Sequence, residues 1–179
     1  MRRTRLLSFA WIVCATIIVM MMRAPGLAQN VTEPALKAAF IYNFAKFTEW
    51  PAELSGEAPL VICVLGDAAV GDELARTVKG RVLAGHGIAV SLAAPVAPQD
   101  TCNVVYMSGM TTPQAAPLVA RLRDLPVLTI GDVQGFIEMG GIAQFRFEQG
   151  QLRFSVCLAS VKRARLQISS RLLALARME

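Results

Sequence analysis

The sequence predicts an α/β fold: a single domain with a mixed β-sheet, a C-terminal hairpin and helices on both faces of the sheet. Three observations carry this expectation. Pro59-Leu-Val-Ile-Cys-Val-Leu65 is a continuous apolar run, the pattern of a central strand covered on both sides. Strand-like runs then alternate with helix-like segments, as in a sheet built from strand–helix–strand units. Finally, Ile142 to Phe147 and Leu152 to Val156 flank Glu148-Gln-Gly-Gln151, which predicts a hairpin. No internal repeat or long linker divides the chain.

At the N-terminus, Met1-Arg-Arg-Thr-Arg5 precedes an apolar run of 17 residues, Leu6 to Met22. Ala24-Pro-Gly-Leu-Ala28 follows, with small residues at −3 and −1 of a cut after Ala28. This order is that of a secretory signal over residues 1–28, leaving a periplasmic domain over 29–179. The run is at the short limit for a spanning helix, and Pro25 just beyond it breaks the helix. Val13 before Cys14 does not suit a lipidation site. The net charge of +5 also belongs to this segment: without its four arginines, 14 basic residues face 13 acidic ones. Such a balance gives no dense basic surface for nucleic acid.

Thr32 caps the first helix of the domain and Pro34 fits its first turn. Leu36, Phe40, Phe44 and Phe47 recur on one stripe, Asn43 falls within it, and Trp50-Pro51 closes the element. An amide buried there needs partners, a neighbouring backbone or a cavity. After the first strand, Ala68 to Lys79 is helical, Ile88 to Leu92 and Cys102 to Met107 are strands joined by a Pro- and Ala-rich loop, and Pro113 to Asp124 is a helix. Val127 to Ile130 is a strand and a short element surrounds Gly135-Phe-Ile137. Beyond the hairpin the chain is helical from Leu158, broken near Ile168-Ser-Ser170, with Ser169 capping a last helix that ends at Arg177.

Few residues carry catalytic or ligand chemistry. Gly66-Asp-Ala-Ala-Val-Gly71 joins a strand to a helix but lacks the P-loop lysine, and Asp67 would repel a phosphate, so it reads as a helix cap. His86 is the single histidine and reads as an exposed turn residue, with no second histidine for a metal site. Ser108 lies outside any G-x-S-x-G or S-x-x-K pattern. The chain therefore reads as a non-enzyme without cofactor or metal. Of the three cysteines left after the signal, Cys63, Cys102 and Cys157, two can pair in an oxidising compartment, and none has CxxC spacing. Lys162, Arg163, Arg165, Arg171 and Arg177 make the C-terminal segment basic, a solvated face or a docking face for an acidic partner. Arg163, Arg171 and Arg177 are the candidate contacts.

Three stretches resemble the periplasmic YfiR-like regulators: Lys37-Ala-Ala-Phe-Ile-Tyr-Asn-Phe-Ala-Lys-Phe-Thr-Glu-Trp-Pro51, Ile62-Cys-Val-Leu-Gly-Asp67, and Val127-Leu-Thr-Ile-Gly-Asp132 through to Ile168-Ser-Ser-Arg-Leu-Leu173. The resemblance implies a small α/β protein, often a homodimer, that represses an inner-membrane diguanylate cyclase by binding its periplasmic sensory domain. It also implies relief by an outer-membrane lipoprotein and lower cyclic di-GMP and biofilm while repression holds. Within that pattern Cys63 and Cys102 correspond to a disulfide, whereas Cys157 lacks the mate of a second one. The alternative is a periplasmic ligand-binding module serving a sensor kinase or transporter.

Overall fold

The structure, a computed structural model, describes residues 31–51, 58–92 and 102–178. The expected signal, with Cys14, and the Pro- and Ala-rich loop lie outside these residues. Helix α1 spans Glu33–Lys46 and is followed by β1 (Thr48–Glu49), β2 (Leu60–Leu65), α2 (Ala68–Val78), β3 (Val82–Leu83) and β4 (His86–Ser91). Next come β5 (Val104–Met107), α3 (Thr112–Leu122), β6 (Leu128–Gly131), β7 (Ala143–Glu148) and β8 (Gln151–Val156). The chain closes with α4 (Leu158–Arg163), β9 (Gln167–Ile168), α5 (Ser170–Leu173) and β10 (Arg177–Met178).

Eight strands form one mixed sheet in the order β10-β8-β7-β6-β5-β2-β4-β3. Strands β4, β2, β5, β6 and β7 are parallel neighbours, and β8 returns antiparallel to β7. The pleat sends alternate residues to opposite faces, so β2 and β5 serve two cores. Ile62, Val64, Val104 and Tyr106 pack under α1 and α2 with Ile41, Phe44 and Leu74. Cys63, Leu65, Val105 and Met107 face α3, where Leu118, Val119, Leu122 and Phe136 cover them. Helices on both faces of a mixed sheet are what the apolar run at Leu60–Leu65 required. Phe40 and Phe44 of α1 meet Phe145 and Phe154 of the hairpin, with Phe44 and Phe154 centroids 5.0 Å apart at 77°. Edge-to-face pairs of this kind fix the helix against the sheet.

Strand order reverses at β2, where open α/β sheets commonly leave a ligand crevice between the carboxyl ends of the flanking strands. Here backbone closes it. The Ser108 amide donates to the Leu65 carbonyl at 3.0 Å, and Gly66, at φ +87°, packs so tightly that a Cβ would collide with the Ser108 carbonyl. Asp67 caps α2 by accepting from the Val70 amide at 3.1 Å, as its position after the strand indicates.

Four local expectations need correction. Asn43 is exposed: α1 buries Lys37, Ala38, Ile41, Phe44 and Ala45, while Leu36, Phe40 and Phe47 pack at the margin of that face. His86 opens β4, half-buried, and its Nδ1 donates to the Ala58 carbonyl at 2.9 Å. The C-terminal helix stops at Arg163 because Arg165 turns to φ +58° and the Leu166 amide reaches back to the Val161 carbonyl at 3.1 Å. Gln167–Ile168 then pairs with Thr48–Glu49, and the last helix ends at Leu173, with β10 lying parallel to β8 beyond it. Ser169 does cap α5, accepting from the Arg171 amide at 3.3 Å.

Candidate functional site

The parallel strands β5 and β6 end side by side, which places Tyr106, Ser108 and Asp132 together under α1. Lys37 comes down from α1 onto the same point. One Asp132 oxygen, Oδ2, accepts from Lys37 Nζ at 2.7 Å, Ser108 Oγ at 2.8 Å and Tyr106 Oη at 2.9 Å. Lys37 Nζ also lies 2.7 Å from Glu33 Oε1, one helical turn earlier. Lys37 is only 7% exposed and Tyr106 is fully buried. A buried lysine persists in such a place only when paired, and this one has two carboxylates.

Electrostatics decides what this group can do. Burial alone would lower the Lys37 pKa, but the hydrogen bonds and charges of Asp132 and Glu33 outweigh it and hold the ammonium above its ordinary value. Tyr106 is pushed well above the usual phenol range, first by burial and then by the Asp132 charge. A serine nucleophile needs a neighbour that takes its proton, and a lysine does that only when its pKa is lowered. Lys37 is shifted the other way and Ser108 is bonded to the carboxylate. The four residues form a structural lock joining α1, β5 and β6.

Beside the lock lies a cavity of about 370 Å³. Glu33, Lys37, Asp132 and Gln134 form one side, and β7 from Gln144 through Phe147 forms the other. Among the described residues no cluster of three or more His, Cys, Asp or Glu is placed to hold a metal ion. Cys63 and Cys102 form a disulfide with Cα atoms 5.9 Å apart, tying β2 to the residues that lead into β5. Cys157 is a free, half-buried thiol at the cap of α4, accepting from Ser160 Oγ at 3.4 Å. Arg163 ends α4 and Arg171 lies in α5, both exposed, while the Arg177 backbone pairs with Ser155 at the sheet edge. Neither Arg163 nor Arg171 lines the cavity.

The lock escaped sequence reading because Lys37 and Asp132 are 95 positions apart. One signal existed: Lys37, Ile41 and Phe44 follow an i, i+4, i+7 pattern, so a charge stands in the buried stripe and calls for a partner.

Fold and site together define a class: a single-domain α/β protein with a disulfide-tied sheet and a polar cavity beside a buried ion pair. The chain belongs to the YfiR/HmsC-like family, whose profile matches residues 34–177. That family is periplasmic, and regulatory rather than catalytic. A search of curated proteins returns no match. No helix among the described residues is long and apolar enough to cross a membrane.

The lock has a pH signature. Lys37 contributes fully below its ordinary value of 10.5 and loses its contribution as pH climbs through the raised one. Tyr106 is held neutral in the fold while the unfolded chain ionises above its ordinary 10.0, so stability falls in the same direction. Urea unfolding midpoints are expected to drop steeply above about pH 10, and less steeply for Tyr106→Phe. Identical alkaline slopes for the two proteins would contradict this assignment.

Proposed function

We propose that the chain is exported by its N-terminal signal, cleaved after Ala28, and acts in the periplasm as a repressor of an inner-membrane diguanylate cyclase. It binds the periplasmic sensory domain of the cyclase, works as a homodimer, and is relieved by an outer-membrane lipoprotein. The observation that carries this reading is the match to the regulatory YfiR/HmsC-like family across residues 34–177. A periplasmic repressor cannot touch a cytoplasmic active site, so it must bind one conformation of the sensory domain more tightly than the other. A tenfold shift needs about 1.4 kcal/mol of differential binding, within reach of a modest interface. Arg163, Arg171 and Arg177 are the proposed contacts, by charge complementarity with an acidic face.

The cavity favours a second reading, a ligand-binding module that serves a sensor kinase or transporter. Deleting the gene separates the two. The deletion is expected to raise cyclic di-GMP and biofilm, and a secreted copy to restore both. Unchanged cyclic di-GMP, with a cyclase demonstrably expressed from the same operon, would overturn the repressor and favour the ligand-binding module.

A further inference from the structure

The cavity has an unfinished wall. Strand β6 pairs with β7 only at Ile130↔Ala143 and Gly131↔Gln144, and the chain then leaves the sheet at Asp132, whereas β7 runs on to Glu148. The two-residue turn at Gln149 and Gly150, φ +51° and +76°, makes Glu148 and Gln151 the closing pair of the hairpin. Even-numbered residues of β7 therefore turn their backbone groups to β8 and odd-numbered ones turn away. The Cys157 amide bonded to the Ile142 carbonyl fits the same phase. Beyond the last β6 contact, the Phe145 carbonyl and both backbone groups of Phe147 are left on the cavity side, where no strand among the described residues pairs with them.

A second observation points to an occupant. Gln144 is 4% exposed, lines the cavity, and its Oε1 is buried without a hydrogen-bond partner. A buried carbonyl left unsatisfied is costly, and a donor supplied by a ligand would satisfy it. The charges on the walls balance, Glu33 and Asp132 against Lys37 and Arg146, so the cavity does not select an anion. Phe147, exposed at 41%, offers an apolar contact at its rim.

We propose that this cavity is a strand-addition slot, in which an extended, uncharged peptide segment of a protein partner pairs with β7 beyond the end of β6 and donates a hydrogen bond to Gln144 Oε1. The regulatory reading enters only in taking a protein rather than a metabolite as occupant. Strand addition supplies affinity through the main chain, and the side chain at the Gln144 contact supplies selectivity.

The test uses the purified protein and a phage-displayed library of random decapeptides, so it does not depend on any cyclase. Enriched peptides are expected to be apolar at alternate positions, to protect the Phe147 amide from hydrogen exchange, and to bind Phe147→Ala less tightly than wild type but more tightly than Phe147→Pro. Phe147→Pro removes the amide on the open side, a replacement an unpaired strand edge tolerates, and is expected to weaken binding about tenfold. Gln144→Leu guards against a fold defect: it should weaken the peptides while raising the melting temperature, because an unsatisfied carbonyl is gone. No enrichment over a bare-resin control, or peptides that bind Phe147→Pro as well as wild type and protect amides elsewhere, would overturn the slot. Either result leaves the repressor reading to its own cyclic di-GMP measurement.

Discussion

Asp132→Ala is expected to cost about 3 kcal/mol of stability, the low end of the range for removing one partner of a buried ion pair, because the Asp132 side chain is 19% exposed. The loss exceeds that of a surface pair because three donors converge on Asp132 Oδ2, two of them the fully buried Tyr106 and the nearly buried Ser108. Lys37 would keep only Glu33, whose side chain is 42% exposed. The double variant Lys37→Met/Asp132→Ala should recover the part of the loss that comes from the stranded ammonium, while the Tyr106 and Ser108 hydroxyls remain without their acceptor. Urea unfolding of the four proteins of this cycle measures the coupling. A loss below about 1 kcal/mol in Asp132→Ala would place the pair among ordinary surface bridges and remove the lock from the account.

Loss of the Cys63–Cys102 disulfide is the second large effect. The cysteines are 39 positions apart, and closing a loop of that length stabilises by about 4 kcal/mol through the entropy of the unfolded chain. Both are buried against the α3 core, so Cys63→Ala/Cys102→Ala also leaves a small void there. The double variant should unfold at markedly lower urea concentration, and dithiothreitol should shift the wild type but not the variant. An equal shift in both would trace the sensitivity to Cys157 or to the reductant, and would contradict a stabilising bridge.

The two effects differ in how visible they were in the sequence. The disulfide was legible only through resemblance, since three cysteines leave three pairings open. The parallel strands were legible directly, because a strand buried on both faces is apolar throughout, as Leu60–Leu65 is. On α1 the stripe Leu36, Phe40, Phe44 and Phe47 does pack on the core, but Asn43, at its margin, turns to solvent. Ala38 and Ala45 are the residues that let the helix approach closely, and they lie fully buried or nearly so. The ribbon between Thr48–Glu49 and Gln167–Ile168 has no local signature, as two residues per strand carry no periodicity. The lock and the open edge of β7 share that character, since each is made by where distant strands end.

Cyclic di-GMP synthesis by the full-length partner cyclase, in a membrane that presents both of its sides, reads repression itself. The protein, added from the periplasmic side, is expected to lower the rate saturably, and the concentration that halves it should match the dissociation constant for the isolated sensory domain. A rate unchanged at concentrations that saturate that domain would contradict repression through binding.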